Sequence, residues 1–313
     1  MPERPRLNSK ARGKADESRL LPLTVAGLVC FAAAVALGYG GWLMFGTRER
    51  DEPERVTELR QSPPAQPTPE ATPAARKEPE ATAPAGELPV PGGEVTLGGE
   101  GTGFPLRRVI IKPFLVAETE TTNEQYREYL RETGRPAPEH WRGGEFPAGT
   151  ALEPVSGVMW QDAADYCRWL SGKLGVTVRL PVEAEWELAA RGAEGFKYPW
   201  GNTWDERAAA STETGGRVRA VKSYPAGRSP FGAYDMAGNV WEWVEDEATD
   251  EEGRPKSEGG AKLRIIRGGA ATEPRAFVSA TARYEVREDK GSARLGFRYV
   301  VVRAEGAAKT PAP

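Results

Sequence analysis

Residues 20–45 form an apolar run without a single charged side chain, and Tyr39 and Trp42 stand near its far end. About 20 apolar residues cross a bilayer's hydrocarbon core and aromatic rings favour its interface, so the run predicts a transmembrane helix. For a cleaved secretory signal the apolar stretch is too long and its polar lead too extended; a signal-anchor fits better, although Ala-rich stretches keep cleavage open. Past residue 88 the periodicity changes. Thr122 with Gln125 makes a capping box ahead of Tyr126, Tyr129 and Leu130, and Gly134 is placed to close that helix. Ala163, Tyr166, Cys167, Leu170 and Leu174 recur at helical spacing with Gly175 as the stop, which puts Cys167 on the buried stripe as an inert thiol. A third helix is expected from Pro181, with Glu187 and Arg191 as an i,i+4 ion pair and Gly192 at the end. The short apolar runs Val109-Ile-Ile111, Leu263-Arg-Ile-Ile266 and Phe297-Arg-Tyr-Val-Val-Val302 predict strands. Three helices, short strands and long Gly/Pro-rich loops describe an α+β domain that depends on large aromatic anchors rather than on regular layers.

Charge and composition divide the chain further. The 313 residues hold 42 Lys and Arg against 45 Asp and Glu, a net charge of -3, which excludes a nucleic-acid partner held through phosphate contacts. Residues 1–19 carry six basic and three acidic side chains, whereas the basic residues just beyond the span are diluted by acids. That bias keeps the N-terminus in the cytoplasm and sends the rest of the chain across the membrane. Residues 46–88 contain eight Pro and no aromatic side chain, a composition that cannot bury enough apolar surface to fold. They read as a disordered stalk that reaches at most roughly 130 Å at about 3.1 Å per residue. Eight of the nine Trp fall between Trp141 and Trp243, inside one folded domain over 89–303, followed by a short flexible tail over 304–313. Two Cys and one His exclude a disulfide scaffold and any metal site built from several Cys or His. Cys30 lies in the span and Cys167 in the external domain, so the two do not pair; His140 reads as a loop residue.

A series of ordered strings covers most of the domain. They are Val90-Pro-Gly-Gly93, Glu120-Thr-Thr-Asn-Glu-Gln-Tyr126, Pro154-Val-Ser-Gly-Val-Met-Trp160, Arg179-Leu-Pro-Val-Glu-Ala-Glu-Trp-Glu187, Tyr198-Pro-Trp-Gly201, Phe231-Gly-Ala-Tyr-Asp-Met-Ala-Gly-Asn-Val-Trp-Glu-Trp243, Arg267-Gly-Gly269 and Gly296-Phe-Arg298. Together they resemble the formylglycine-generating enzyme family, also called the sulfatase-modifying factor domain. The resemblance implies a C-type-lectin-like fold with little regular secondary structure, in a protein that is exported.

The resemblance also implies a site, and the residues depart from it. Oxidases of that family bind copper(I) through two cysteines a few residues after an Arg-Gly-Gly-Ser string. Here the segment 267–283 contains no Cys, and Ala270 stands in place of the serine. A soft ion needs soft ligands, so copper and formylglycine generation are not expected. One calcium position carries over in part: Gly238, Val240 and Glu242 match, with Asn239 adjacent, although calcium needs about six to eight oxygen ligands and the rival reading is that Asn239 and Glu242 brace the loop. Six acids in the eight residues 245–252 read as a solvated loop.

The reading that follows is a membrane-anchored, extracytoplasmic binding or assembly module for a protein or cell-envelope ligand. Its expected surface comprises Trp200, Trp204, Trp241, Trp243 and the segment 270–283, with core burial an equal reading for Trp241 and Trp243. The alternative is a formylglycine-generating-type oxidase or a related family enzyme acting on a protein or envelope substrate, in which Glu273, Arg275, Ser279 and Arg283 occupy the site.

Overall fold

Helix ends form where the capping residues stand. In the computed structural model, which describes residues 86–99 and 101–302, α1 runs Asn123–Thr133 with Thr122 and Gln125 closing a reciprocal capping box and Gly134 left-handed at the end. Helix α2 spans Trp160–Leu174 and stops at Gly175, again left-handed. Helix α3, Glu183–Arg191, starts two residues later than the Pro181 signal suggests. Glu185 explains the delay: it accepts the Val182 N–H at 2.9 Å and clamps Arg179 at 2.6 and 2.7 Å, which holds Val182 extended as the cap. The basic segment, apolar run, nearly all of the stalk and the tail lie outside the described residues. Among those described, no helix is long and apolar enough to cross a membrane.

Strands β1 (Glu87–Val90), β4 (Phe114–Ala117), β5 (Thr177–Arg179) and β11 (Val300–Val302) make an antiparallel sheet in the order β1-β4-β11-β5. The first of them begins at Glu87, inside the compositional boundary of the stalk. Strands β2 (Gly93–Gly99) and β3 (Phe104–Ile111) form a separate hairpin. A second sheet contains β6 (Trp241–Glu247) between β10 (Leu295–Gly296) and β8 (Ala261–Arg267), with β7 (Ser257–Glu258) and β9 (Arg283–Arg287) both paired to β8. The apolar run 297–302 is not one strand: β10 and β11 flank it, and Phe297 and Arg298 point into the interior between them. Likewise Glu245, Asp246 and Glu247 belong to β6 rather than to a loop. Glu247 pairs with Lys262, and Asp246 accepts the Glu183 N–H at the start of α3.

Aromatic packing supplies what the short elements lack. Between α1, α2 and the chain leading to β11, Tyr126 stacks on Tyr166 at 5.8 Å while Phe297 meets both rings edge-on. Such pairs contribute about 0.5–1.5 kcal/mol beyond area burial. Cys167 sits in this cluster and is 1% exposed, as its helical position predicts. A second cluster packs Trp186 of α3 and Met236 against the β2–β3 hairpin and Ile265 of β8. After β8, Gly269 has φ +86°, and a Cβ there would lie 2.3 Å from the Phe277 carbonyl oxygen. Only glycine allows that approach, and it folds the segment 270–282 back against the end of the sheet.

Candidate functional site

The folded-back segment forms one wall of a cleft of about 1190 Å³. Gly98, Gly99 and Leu106 of the hairpin form the opposite wall, and Trp241, Ile266, Tyr284 and Leu295 of the second sheet line its base. Of the residues named for a catalytic role, Glu273, Ser279 and Arg283 line this cleft and Arg275 does not. Glu273 accepts the Trp241 indole N–H at 3.0 Å and lies 3.5 Å from Arg294. Ser279 is buried and shares a 2.9 Å hydroxyl contact with Thr281, with no His or Lys bonded to it among the described residues. Arg283 donates from Nε to Glu183 at 3.0 Å and from Nη1 to Glu285 at 3.1 Å. This is a recognition surface with polar anchors; it lacks the paired nucleophile and base that acyl or group transfer needs.

Of the four tryptophans, only Trp241 reaches the cleft. Trp243 is fully buried and donates to the Val158 carbonyl at 3.0 Å. Trp200 and Trp204 pack with Tyr198 in a separate aromatic triad, at centroid distances between 5.1 and 5.9 Å, over Ala209, Ala237 and Val278. His140 is half-buried near Gly157, and burial lowers its proton affinity.

Behind the cleft lies a charged layer that the sequence reading missed. Glu183, Glu187 and Arg191 share α3, and all are buried. Glu187 accepts from Arg191 at 2.5 Å, from the Gly98 N–H at 2.8 Å and from Arg267 at 3.3 Å. Arg267 is itself fully buried, and its other bonds run to Glu183 at 2.8 Å and to the Ala280 carbonyl at 3.1 Å. Thus Arg267, read only as part of a string, ties α3 to both the floor and the folded-back wall. The spacing 183, 187, 191 on one helix face was the available signal, but i,i+4 charges usually mark a solvated face.

A second buried centre gathers Glu120, Asp235 and Glu242 around one guanidinium, that of Arg298. Both carboxylate oxygens of Glu242 accept from Arg298 at 2.7 Å, and one also accepts the Trp186 indole N–H at 2.8 Å. Burial raises the carboxyl of Asp235 to about 6 and pushes that of Glu120 well above the usual range, with repulsion from Asp235 and Glu242 adding to the latter. Asn239, left-handed at φ 61°, donates to Glu120 and accepts the Arg219 N–H at 2.9 Å; its own carbonyl accepts from Ala271. The donors named for calcium are therefore engaged by protein groups, and as arranged they do not fit that ion, which needs free oxygen ligands. Among the described residues no group of three or more His, Cys, Asp or Glu is placed to hold a metal.

Copper fares no better with the residues present. No thiol faces the cleft, and Cys167, the free cysteine of the described residues, is buried where desolvation raises its thiol well above the ordinary range.

Comparison with known proteins agrees with this scaffold. The chain is 31% identical to the formylglycine-generating enzyme of Streptomyces coelicolor, over 75% of this chain and 95% of that enzyme. It is 30% identical to the inactive C-alpha-formylglycine-generating enzyme 2 of Bos taurus, over 71% of this chain and 88% of that protein. The solved structure of PvdO from Pseudomonas aeruginosa superposes with a TM-score of 0.58 at 28% identity, covering 69% of this chain and 93% of that one. Chlamydial serine/threonine-protein kinases named pkn1 also match, although the chain spans only about a third of their length. A model of the sulfatase-modifying factor enzyme 1-like domain matches residues 72–303, and the chain belongs to that family.

Proposed function

We propose that the protein is a membrane-anchored, extracytoplasmic recognition module that uses the cleft beside 270–283 to bind a protein or cell-envelope ligand and does not generate formylglycine. The observation that carries this reading is the chemistry of the cleft: Glu273, Ser279, Thr281 and Arg283 supply oxygen and nitrogen donors, and no thiolate is available for a soft metal. A relative that is itself named inactive supports a non-oxidising role within the same family. Anchoring rests on the apolar run 20–45 and the basic bias of 1–19.

Two experiments test it. The full chain, loaded with copper(I) and supplied with oxygen and a Cys-containing peptide, is expected to leave the peptide mass unchanged; conversion of the cysteine to formylglycine would restore the oxidase reading. Protease added outside intact cells is expected to release the domain and spare residues 1–19, and full protection would refute the topology.

A further inference from the structure

We infer that the ligand of this cleft is an extended polypeptide segment bearing acidic side chains, which adds along the free edge of β9. The inference rests on the binding reading above and adds the chemistry of the partner.

Charge is the first observation. The cleft is lined by the cations Arg191, Lys197, Arg283 and Arg294 against the single carboxylate of Glu273. In the layer behind, Arg267 and Lys256 face Glu183, Glu187 and Glu285. Six positive groups thus meet four negative ones in a chain whose total charge is -3, so the positive excess is local. Burial raises the proton affinity of Glu183, which enlarges the excess further. Lys197 is exposed, and its Nζ touches only the face of Tyr198, at 5.5 Å from the centroid; no carboxylate of the described residues pairs with it. Arg294 is held only by the 3.5 Å contact with Glu273.

Backbone geometry is the second. Strand β9 pairs with β8 from Arg283 to Arg287 and with nothing on its other side among the described residues. Arg283 and Tyr284 point to opposite faces of the strand, yet both line the cleft, so the cleft meets the strand's edge as well as one face. A free edge offers main-chain donors and acceptors to an added strand, which a glycan would not use. Third, Leu106, Phe277 and Tyr284 line the cleft while 69, 60 and 64% exposed, and such apolar side chains suit a polypeptide. Its volume exceeds the roughly 300–1,000 Å³ of small-molecule sites.

The test uses the full chain and fluorescently labelled heptapeptides of alternating Phe/Leu with Asp/Glu, with Asn/Gln, or with Lys in the polar positions. At low salt the acidic peptide is expected to bind at least about tenfold tighter than the amide version, and the Lys version not to bind. That preference should fall with added salt and vanish in Lys197→Glu/Arg294→Gln, whose exposed positions spare the fold. N-methylation of alternate peptide nitrogens should abolish binding, and a sulfated oligosaccharide should not displace the peptide. Equal binding of acidic and amide peptides, with loss in Phe277→Ala, would overturn the acidic partner but leave a peptide cleft. Displacement by the sulfated oligosaccharide, with binding indifferent to N-methylation, would make the ligand a glycan and overturn the proposal. Absence of binding by every peptide and by the oligosaccharide would overturn it together with the reading on which it rests.

Discussion

Replacing Asp235 by Asn should stabilise the folded domain at neutral and alkaline pH. Asp235 is 7% exposed and shares its surroundings with Glu120, Glu242 and only one compensating cation, Arg298. Its carboxyl moves from 3.8 unfolded to about 6 folded, chiefly through burial. A raised value means that the folded state holds the proton more tightly than the unfolded chain. The stability tied to that proton is therefore complete below the unfolded value and is lost as pH rises through about 6. At about 1.36 kcal/mol per tenfold change in proton affinity, the loss above that pH is of order 3 kcal/mol, and local relaxation reduces it to about 1–3 kcal/mol. Asparagine keeps the shape, tolerates the left-handed backbone at φ 59°, and retains an acceptor for the Lys222 N–H at 2.9 Å. Thermal melts of both proteins from pH 5 to pH 8, in chelator, should show the wild type losing stability with pH and the variant losing less, because Glu120 still titrates. At pH 8 the variant should melt roughly 2–12 °C higher. A variant that melts at or below the wild type at pH 8, or a wild-type profile that does not fall, would refute the account of this buried cluster.

Two further outcomes follow from the same interior. Arg298→Met removes the guanidinium that bonds both oxygens of Glu242 and should cost about 3–5 kcal/mol in urea unfolding at pH 7.5, part of it recovered near pH 5 where the stranded carboxyls can protonate. A loss under about 1 kcal/mol would mean that the pair is dispensable. Cys167, 1% exposed among aromatic rings, should react with a thiol reagent at least about a hundredfold more slowly in the folded protein than in urea; rapid native labelling would contradict its assignment as an inert core thiol.

Local signals carried much of the architecture. Caps, stops and helical spacing set α1 and α2, because a helix end depends on residues three or four apart. Pro181 misled for a reason that lies outside the helix: Glu185 holds both Val182 and Arg179 and delays the first turn. The missing cysteines in 267–283 and the family strings were equally legible, since both are statements about residue type and order. The site was legible only in part. Glu273, Ser279 and Arg283 fall in the cleft with Trp241, whereas Arg275, Trp200, Trp204 and Trp243 do not.

By itself the sequence determined the α+β class, the order of the elements and the absence of soft metal ligands in the expected segment, all properties of nearest neighbours along the chain. The tertiary structure alone decided which charges are buried and what they face. Glu187 and Arg267 are 80 residues apart, and Glu242 and Arg298 are 56 apart, so neither pair leaves a periodicity to read. The cost of burying each charge is offset only by a partner brought in from a distant segment, and that pairing fixes where the cleft opens and which sign of charge it presents.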